Sequence, residues 1–110
     1  MQHLQNIIEK AWENRELLQQ AEARAAVAEV IELLDQGKLR CAEPTEEGWQ
    51  VNDWVKKGVI LNFPLQEMEV IECPPFEYHD KIALKRGYAA QGVRVVPPAT
   101  ARYGAFVASG

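Results

Sequence analysis

The first 36 residues of this 110-residue chain contain neither glycine nor proline and are rich in alanine, leucine, glutamate and glutamine. This composition has high helix propensity. Counted at about 100° per residue, its apolar side chains form two stripes. The first stripe consists of Leu4, Ile7, Ile8, Ala11 and Leu18, and the second of Val27, Val30, Ile31 and Leu34.

The two stripes differ in direction by roughly 140° at this period. One straight helix could bury only one of them. The sequence therefore predicts two helices that break within Leu18–Arg24 and pack as a hairpin. One long helix with partners on two sides is the alternative. Gly37 is expected to end the second helix as a C-cap.

A small β-hairpin and a third helix are expected next. Pro44–Gly48 is turn material, so Trp49–Val51 is predicted to pair back on residues 39–42. Asn52 or Asp53 then reads as the N-cap of a helix that ends before Pro64. Its apolar residues recur at helical spacing, with Trp54 and Phe63 expected in the core: Trp54, Val55, Val59, Ile60 and Phe63. Gly58 lowers helix stability by about 1 kcal/mol relative to alanine, so it is expected to mark close packing.

The last third of the chain is predicted to hold short β segments. One falls within Glu67–Glu72, and Val93–Val96 is β-prone and ends at Pro97. Asp80 could cap a short segment from Lys81, and residues 102–110 read as a strand of small residues. The predicted fold class is mainly α within α+β: a small helical domain with a helical hairpin, a third helix and short β segments.

Composition excludes several classes of protein. No apolar run approaches the ~18–20 residues of a membrane span, and the start lacks the pattern of a signal peptide. Cys41 and Cys73 form no zinc pattern with the two histidines and are expected to be reduced, partly buried thiols in a cytoplasmic protein. The net charge is −4 and the bases form no recognised nucleic-acid module, so no nucleic-acid partner is expected.

The charge distribution is uneven. All 16 acids lie in residues 1–80, whereas residues 81–110 hold five bases and no acid. Such a segment either faces an anion or pairs with acids from the front of the chain. The five bases are Lys81, Lys85, Arg86, Arg94 and Arg102.

Several short motifs occur in a collinear order that resembles one family. The motifs are Met1–Glu9, Val30–Asp35, Trp49, Trp54–Lys57, Gly92–Ala99, Arg102 and Gly104–Val107. Together they are similar to the N-terminal part of tetrahydrodipicolinate N-succinyltransferases. The links at residues 19–23 and 85–92 look shorter than is usual in that family, so a loop or helix on the substrate side is expected to differ.

The resemblance implies a domain division. Residues 1–103 correspond to the helical N-terminal domain, and residues 104–110 to the first rung of a left-handed β-helix of hexapeptide repeats. The acid/base carboxylate and the coenzyme A groove of the family lie in that β-helix, between subunits of a homotrimer. The catalytic β-helix domain, in the same or a separate chain, is therefore an expected partner. The isolated chain is expected to be non-catalytic, and a monomer or a weak dimer through Ala105–Ala108.

The family moves a succinyl group from succinyl-CoA to the amine of ring-opened tetrahydrodipicolinate, in lysine and diaminopimelate biosynthesis. Succinyl-CoA is then the co-substrate of the intact enzyme, and no catalytic residue, cofactor or metal site is expected in this chain. A stand-alone, non-catalytic binding or assembly module derived from the domain is the alternative function.

Substrate positioning is the role that the resemblance leaves to this chain. The acceptor is a dicarboxylate, and arginine matches a carboxylate with two parallel donors. By resemblance, Arg94 in the Gly92–Ala99 motif contacts the substrate, and Arg102 is a second, weaker candidate. The remaining bases considered are expected to be surface charges: Lys56, Lys57, Lys85 and Arg86.

Overall fold

The computed structural model describes all residues, 1–110, and places two helices in the opening segment. Helix α1 spans Gln2–Glu13 and helix α2 spans Ala21–Asp35, with a 3-10 turn, Arg15–Gln19, between them. The break comes earlier than predicted because Asn14 is extended and its side chain accepts the Glu16 N–H at 3.2 Å. The prediction of two helices is confirmed.

A third helix, α3, spans Asp53–Asn62 and packs against both α1 and α2. The separated stripes of the first two helices therefore face one common core instead of two. Eleven residues form this core: Leu4, Ile8, Ala11, Leu18, Ala23, Ala26, Val27, Val30, Trp54, Val55 and Leu61. None of the helices is long and apolar enough to cross a membrane.

Gly37 ends α2 as predicted. Its φ is +74°, the left-handed conformation that favours glycine. The Gly37 N–H donates to the Leu34 carbonyl at 3.0 Å, and the Lys38 N–H donates to the Leu33 carbonyl at 2.9 Å. This pair of bonds is a Schellman motif, and it satisfies carbonyls that the helix end would otherwise leave free.

The first hairpin forms in a register different from the predicted one. Strands β1 (Ala42–Thr45) and β2 (Gly48–Val51) are antiparallel, with Thr45 opposite Gly48. The turn is two residues long because the Thr45 hydroxyl donates to the Gly48 carbonyl at 2.6 Å and accepts the Glu47 N–H at 3.3 Å. Pro44 therefore lies in the strand, which a proline tolerates in a two-stranded hairpin.

The buried face of α3 also differs from the predicted face. Leu61 is fully buried, whereas Ile60 and Phe63 are both 38% exposed, so placing Phe63 in the core was wrong. Gly58 explains the rotation. A Cβ at Gly58 would lie 3.0 Å from Val30 Cγ1, so α3 turns its glycine towards α2. The close packing expected at Gly58 is confirmed.

The last third of the chain contains a second antiparallel hairpin, of β3 (Glu69–Cys73) and β4 (Phe76–Asp80). The β3 segment was predicted, but Asp80 ends β4 and caps no helix. Residues 93–96 and 102–110 form no strands, and their only bridge pairs Leu84 with Arg102. With no neighbouring strand to extend, β propensity alone did not produce one.

The chain exposes more surface than its size requires. Its accessible area is 7826 Å², against about 6,100 Å² for a compact protein of this mass. The radius of gyration is 15.7 Å, against roughly 13 Å for a compact chain of this length. Both cysteines are free, as expected, but exposed and not partly buried. Much of the apolar surface of the two hairpins and the C-terminal segment therefore faces outwards.

We expect substitutions at two adjacent positions of α3 to distinguish its buried face from its exposed face. Leu61→Ala should lower the free energy of unfolding by about 2–5 kcal/mol, because it leaves a cavity in the core. Ile60→Ala, at the neighbouring position, should lower it by less than about 1 kcal/mol, because Ile60 is partly solvated. Urea denaturation of both variants measures the difference. Equal losses would contradict this orientation of the helix.

Candidate functional site at the end of the second helix

The two arginines predicted to bind substrate are both exposed residues. Arg94 is exposed, in an irregular segment after Gly92. Its N–H donates to the Gly110 carbonyl at 2.7 Å, and the Gly110 N–H donates to the Gly92 carbonyl at 2.9 Å. The Arg94 guanidinium takes part in neither of the two ion pairs of the chain. Its donors are therefore available to a ligand.

Arg102, by contrast, has an acidic partner. Its guanidinium contacts the Asp80 carboxylate at 3.0 Å, with the two side chains 59% and 37% exposed. An exposed pair of this kind contributes about 0–1 kcal/mol to stability. Charge pairing with the front of the chain, the alternative explanation for the uneven distribution, therefore holds for Arg102.

Lys85 is not the surface charge that was predicted. Its side chain is 1% exposed, and Nζ lies 2.7 Å from Asp35 Oδ1. Nζ also donates to the Asp35 backbone carbonyl at 3.4 Å. Asp35 is the last residue of α2, where the helix dipole disfavours an acid and where the last turn carries no base. Lys85 supplies the missing cation from 50 residues away along the chain.

The same carboxylate also binds the C-terminal segment. The Gly104 N–H donates to Asp35 Oδ1 at 3.0 Å. One turn earlier on α2, Glu32 accepts a hydrogen bond from the Tyr103 hydroxyl. We call this group the Asp35 cluster: Glu32, Asp35, Lys85, Tyr103 and Gly104.

Segments 83–85 and 101–104 are joined to each other as well as to α2. The Lys85 N–H donates to the Ala101 carbonyl at 2.9 Å, and the Tyr103 N–H donates to the Ala83 carbonyl at 2.8 Å. Leu84 and Arg102 form the antiparallel bridge between these two bonds. The Asp35 cluster thus joins three segments that lie far apart in the sequence.

Sequence reasoning missed this cluster. Its one local signal is the acid at the end of a helix, a position that normally favours a base. Lys85 and Gly104 carry no pattern that identifies their partner, because both contacts span at least 50 residues.

An open cleft of about 950 Å³ lies beside the cluster, between β3 and residues 80–86. Neither Arg94 nor Arg102 lines it. Its charged lining includes six acids and three bases. Nowhere in the chain do three or more His, Cys, Asp or Glu side chains form a group that could hold one metal ion.

The pKa of the Tyr103 hydroxyl is raised in the folded chain. Burial, together with the hydrogen bond to Glu32 and the nearby charge of Asp35, raises the pKa of the Tyr103 hydroxyl from 10.0 to about 12. Folding therefore favours its neutral form. This stabilisation is complete below the unfolded pKa of about 10 and is lost as the pH rises towards the folded value.

A tyrosinate absorbance titration tests this directly. Of the three tyrosines, one should ionise at about pH 12. Tyr103→Phe should remove that step because it removes the shielded hydroxyl, whereas Tyr88→Phe, outside the cluster, should retain it. A high-pH step that survives Tyr103→Phe would contradict the assignment.

Comparison with known proteins adds to this geometry. The sequence profile described as "Tetrahydrodipicolinate N-succinyltransferase N-terminal" matches residues 3–65. Three similar proteins, each named 2,3,4,5-tetrahydropyridine-2,6-dicarboxylate N-succinyltransferase, come from Bordetella petrii, Photorhabdus laumondii and Paracidovorax citrulli. They are 47%, 45% and 48% identical to this chain over 96%, 98% and 99% of its length.

The aligned part is only the smaller share of each relative. The chain covers 42%, 43% and 44% of these three proteins, so it spans less than half of their length. The profile nevertheless covers more than half of this chain, and the relatives align along nearly all of it. The chain therefore belongs to the tetrahydrodipicolinate N-succinyltransferase family.

Proposed function

We propose that this chain is the substrate-positioning N-terminal domain of an acyltransferase that moves succinyl from succinyl-CoA to the amine of tetrahydrodipicolinate. The observation that carries the proposal is the 45–48% identity to named N-succinyltransferases along nearly the whole chain. The relatives' name contains both the dicarboxylate and the succinyl transfer. Lysine and diaminopimelate biosynthesis is the setting that this reaction implies.

The chemistry divides between two parts of such an enzyme. The amine attacks a thioester carbonyl, so a base must take a proton and a donor must stabilise the oxyanion. We assign these steps, and the succinyl-CoA site, to a catalytic β-helix domain in the same or a separate chain, assembled as a homotrimer. The proposal includes the division of the chain into a helical domain, residues 1–103, and the first rung of the β-helix, residues 104–110.

The exposed surface supports a partner domain. The accessible area exceeds that of a compact protein of this mass by about a quarter. Several large apolar side chains lie more than half exposed on the hairpins and the C-terminal segment: Trp49, Val51, Met68, Val70, Val96 and Phe106. Another domain that covered these side chains would remove their apolar area from water.

Within this domain we assign contact with the acceptor to Arg94. It is exposed, its side chain is in no ion pair, and its backbone N–H is bonded to Gly110. A guanidinium in this position can donate two parallel hydrogen bonds to one carboxylate of the acceptor. Arg102 is the weaker candidate because Asp80 already occupies it.

A chimaera tests the function. This chain would be joined to the remaining C-terminal part of the Bordetella petrii relative, and coenzyme A release would be followed with succinyl-CoA and the amine acceptor. We expect acceptor-dependent turnover, with none from either part alone. An inactive but folded chimaera would favour the stand-alone binding or assembly module.

Arg94→Ala in the active chimaera should raise the KM for the acceptor by about 10- to 100-fold, the loss expected for hydrogen bonds between charged groups. The KM for succinyl-CoA should stay unchanged. Arg86→Ala is the matched control, because Arg86 is also an exposed arginine of the acid-free segment. An unchanged acceptor KM would remove Arg94 from the site.

A further inference from the structure

The position of Arg94 depends on a series of contacts that begins at the end of α2. The Arg94 N–H donates to the Gly110 carbonyl, whereas the Gly92 and Val93 N–H groups donate to the Ala89 and Tyr88 carbonyls of the preceding turn. Gly110 lies six residues beyond Gly104, whose N–H binds the Asp35 carboxylate. The backbone at Arg94 is therefore held by the C-terminal segment and by the turn before it, with no direct bond to the helical core.

Residues 104–106 lie close to the end of α2. A Cβ at Gly104 would lie 3.2 Å from Ile31 Cγ2, and a Cβ at Gly37 would lie 2.7 Å from the Phe106 ring. The two glycines thus allow residues 104–106 to contact the last turn of the helix. Asp35 lies between these contacts, and it is the helix residue that bonds both incoming segments.

The location of this acid supports a dedicated role. A carboxylate at the last position of a helix is electrostatically unfavourable, and its partner Lys85 loses nearly all contact with water. Departures from local preference of this kind tend to occur where function sets the structure.

We propose that Asp35 is a positioning residue for Arg94. By holding Gly104 at the end of α2, it fixes the paired backbone of residues 92–94 and 110, and so the position from which the Arg94 guanidinium reaches an acceptor carboxylate. The substrate role of Arg94 rests on the proposed function. The structural coupling of Asp35 to Arg94 is independent of the proposed function.

Hydrogen exchange on the 110-residue chain, read by NMR, tests the coupling without any catalytic assay. In the unmodified protein, the amides of Arg94, Gly104 and Gly110 should exchange through one shared opening, with a common dependence on denaturant. The core amides of Val30 and Val55 should exchange more slowly. Separate openings for Gly104 and Arg94 would overturn the proposal.

Two double variants then isolate the carboxylate. Lys85→Met is present in both, so that no buried cation is left unpaired. Asp35→Asn/Lys85→Met keeps an acceptor for the Gly104 N–H and should retain slow exchange at Arg94. Asp35→Ala/Lys85→Met removes the acceptor and should accelerate exchange at Arg94 and Gly110 by about fivefold to tenfold, the effect of one lost hydrogen bond.

The outcome is decisive in either direction. Acceleration at Arg94 and Gly110 with unchanged exchange at Val30 and Val55 supports positioning. Equal acceleration of the core amides, or none at Arg94, overturns it. Since exchange does not involve substrate, a failure here is distinct from an inactive chimaera. If Asp35→Ala/Lys85→Met does not fold, the shared opening in the unmodified chain still decides the question.

Discussion

Helix α2 is the element on which the rest of the chain is arranged. Along its length, Val27 and Val30 are fully buried against α1 and α3. At its end, the Asp35 carboxylate binds a buried lysine and a backbone amide from two distant segments. The first contact is apolar and non-directional, and the second is polar and demands a definite geometry. The helix thus joins a helical core to a C-terminal third that contributes no residue to that core.

The predictable part of the fold was the part that depends on local pattern. The phase difference between two apolar stripes correctly divided the opening segment into two helices, and Gly37 correctly marked the end of α2. The hairpin register was wrong because the Thr45 hydroxyl, not Pro44, closes the turn. The predicted buried face of α3 was wrong because Gly58 packs closely against Val30. This contact determines the rotation of the helix, and the spacing of the apolar residues does not.

The candidate site was harder to predict than the fold. The charge distribution and the family resemblance both drew attention to the acid-free segment, and the structure leaves Arg94 unpaired and exposed within it. Its substrate role stays a prediction. The same segment also contains Lys85, which was expected at the surface and is buried instead. Lys85 pairs with an acid 50 residues earlier in the chain, and local composition does not indicate such a partner. Only the folded chain therefore distinguishes the buried Lys85 from the exposed Arg94.

The low share of buried residues has a thermodynamic consequence. Only 15 of 110 residues are buried, so unfolding this chain exposes less new apolar surface than unfolding a compact chain of equal length. The heat capacity of unfolding and the sensitivity to denaturant both scale with that newly exposed surface. Both should therefore lie below the values usual for this length, and the stability of the isolated chain should vary only shallowly with temperature. Association with a domain that covers the exposed apolar surface would lower the heat capacity further, because burial of apolar surface on binding has the same effect as burial on folding.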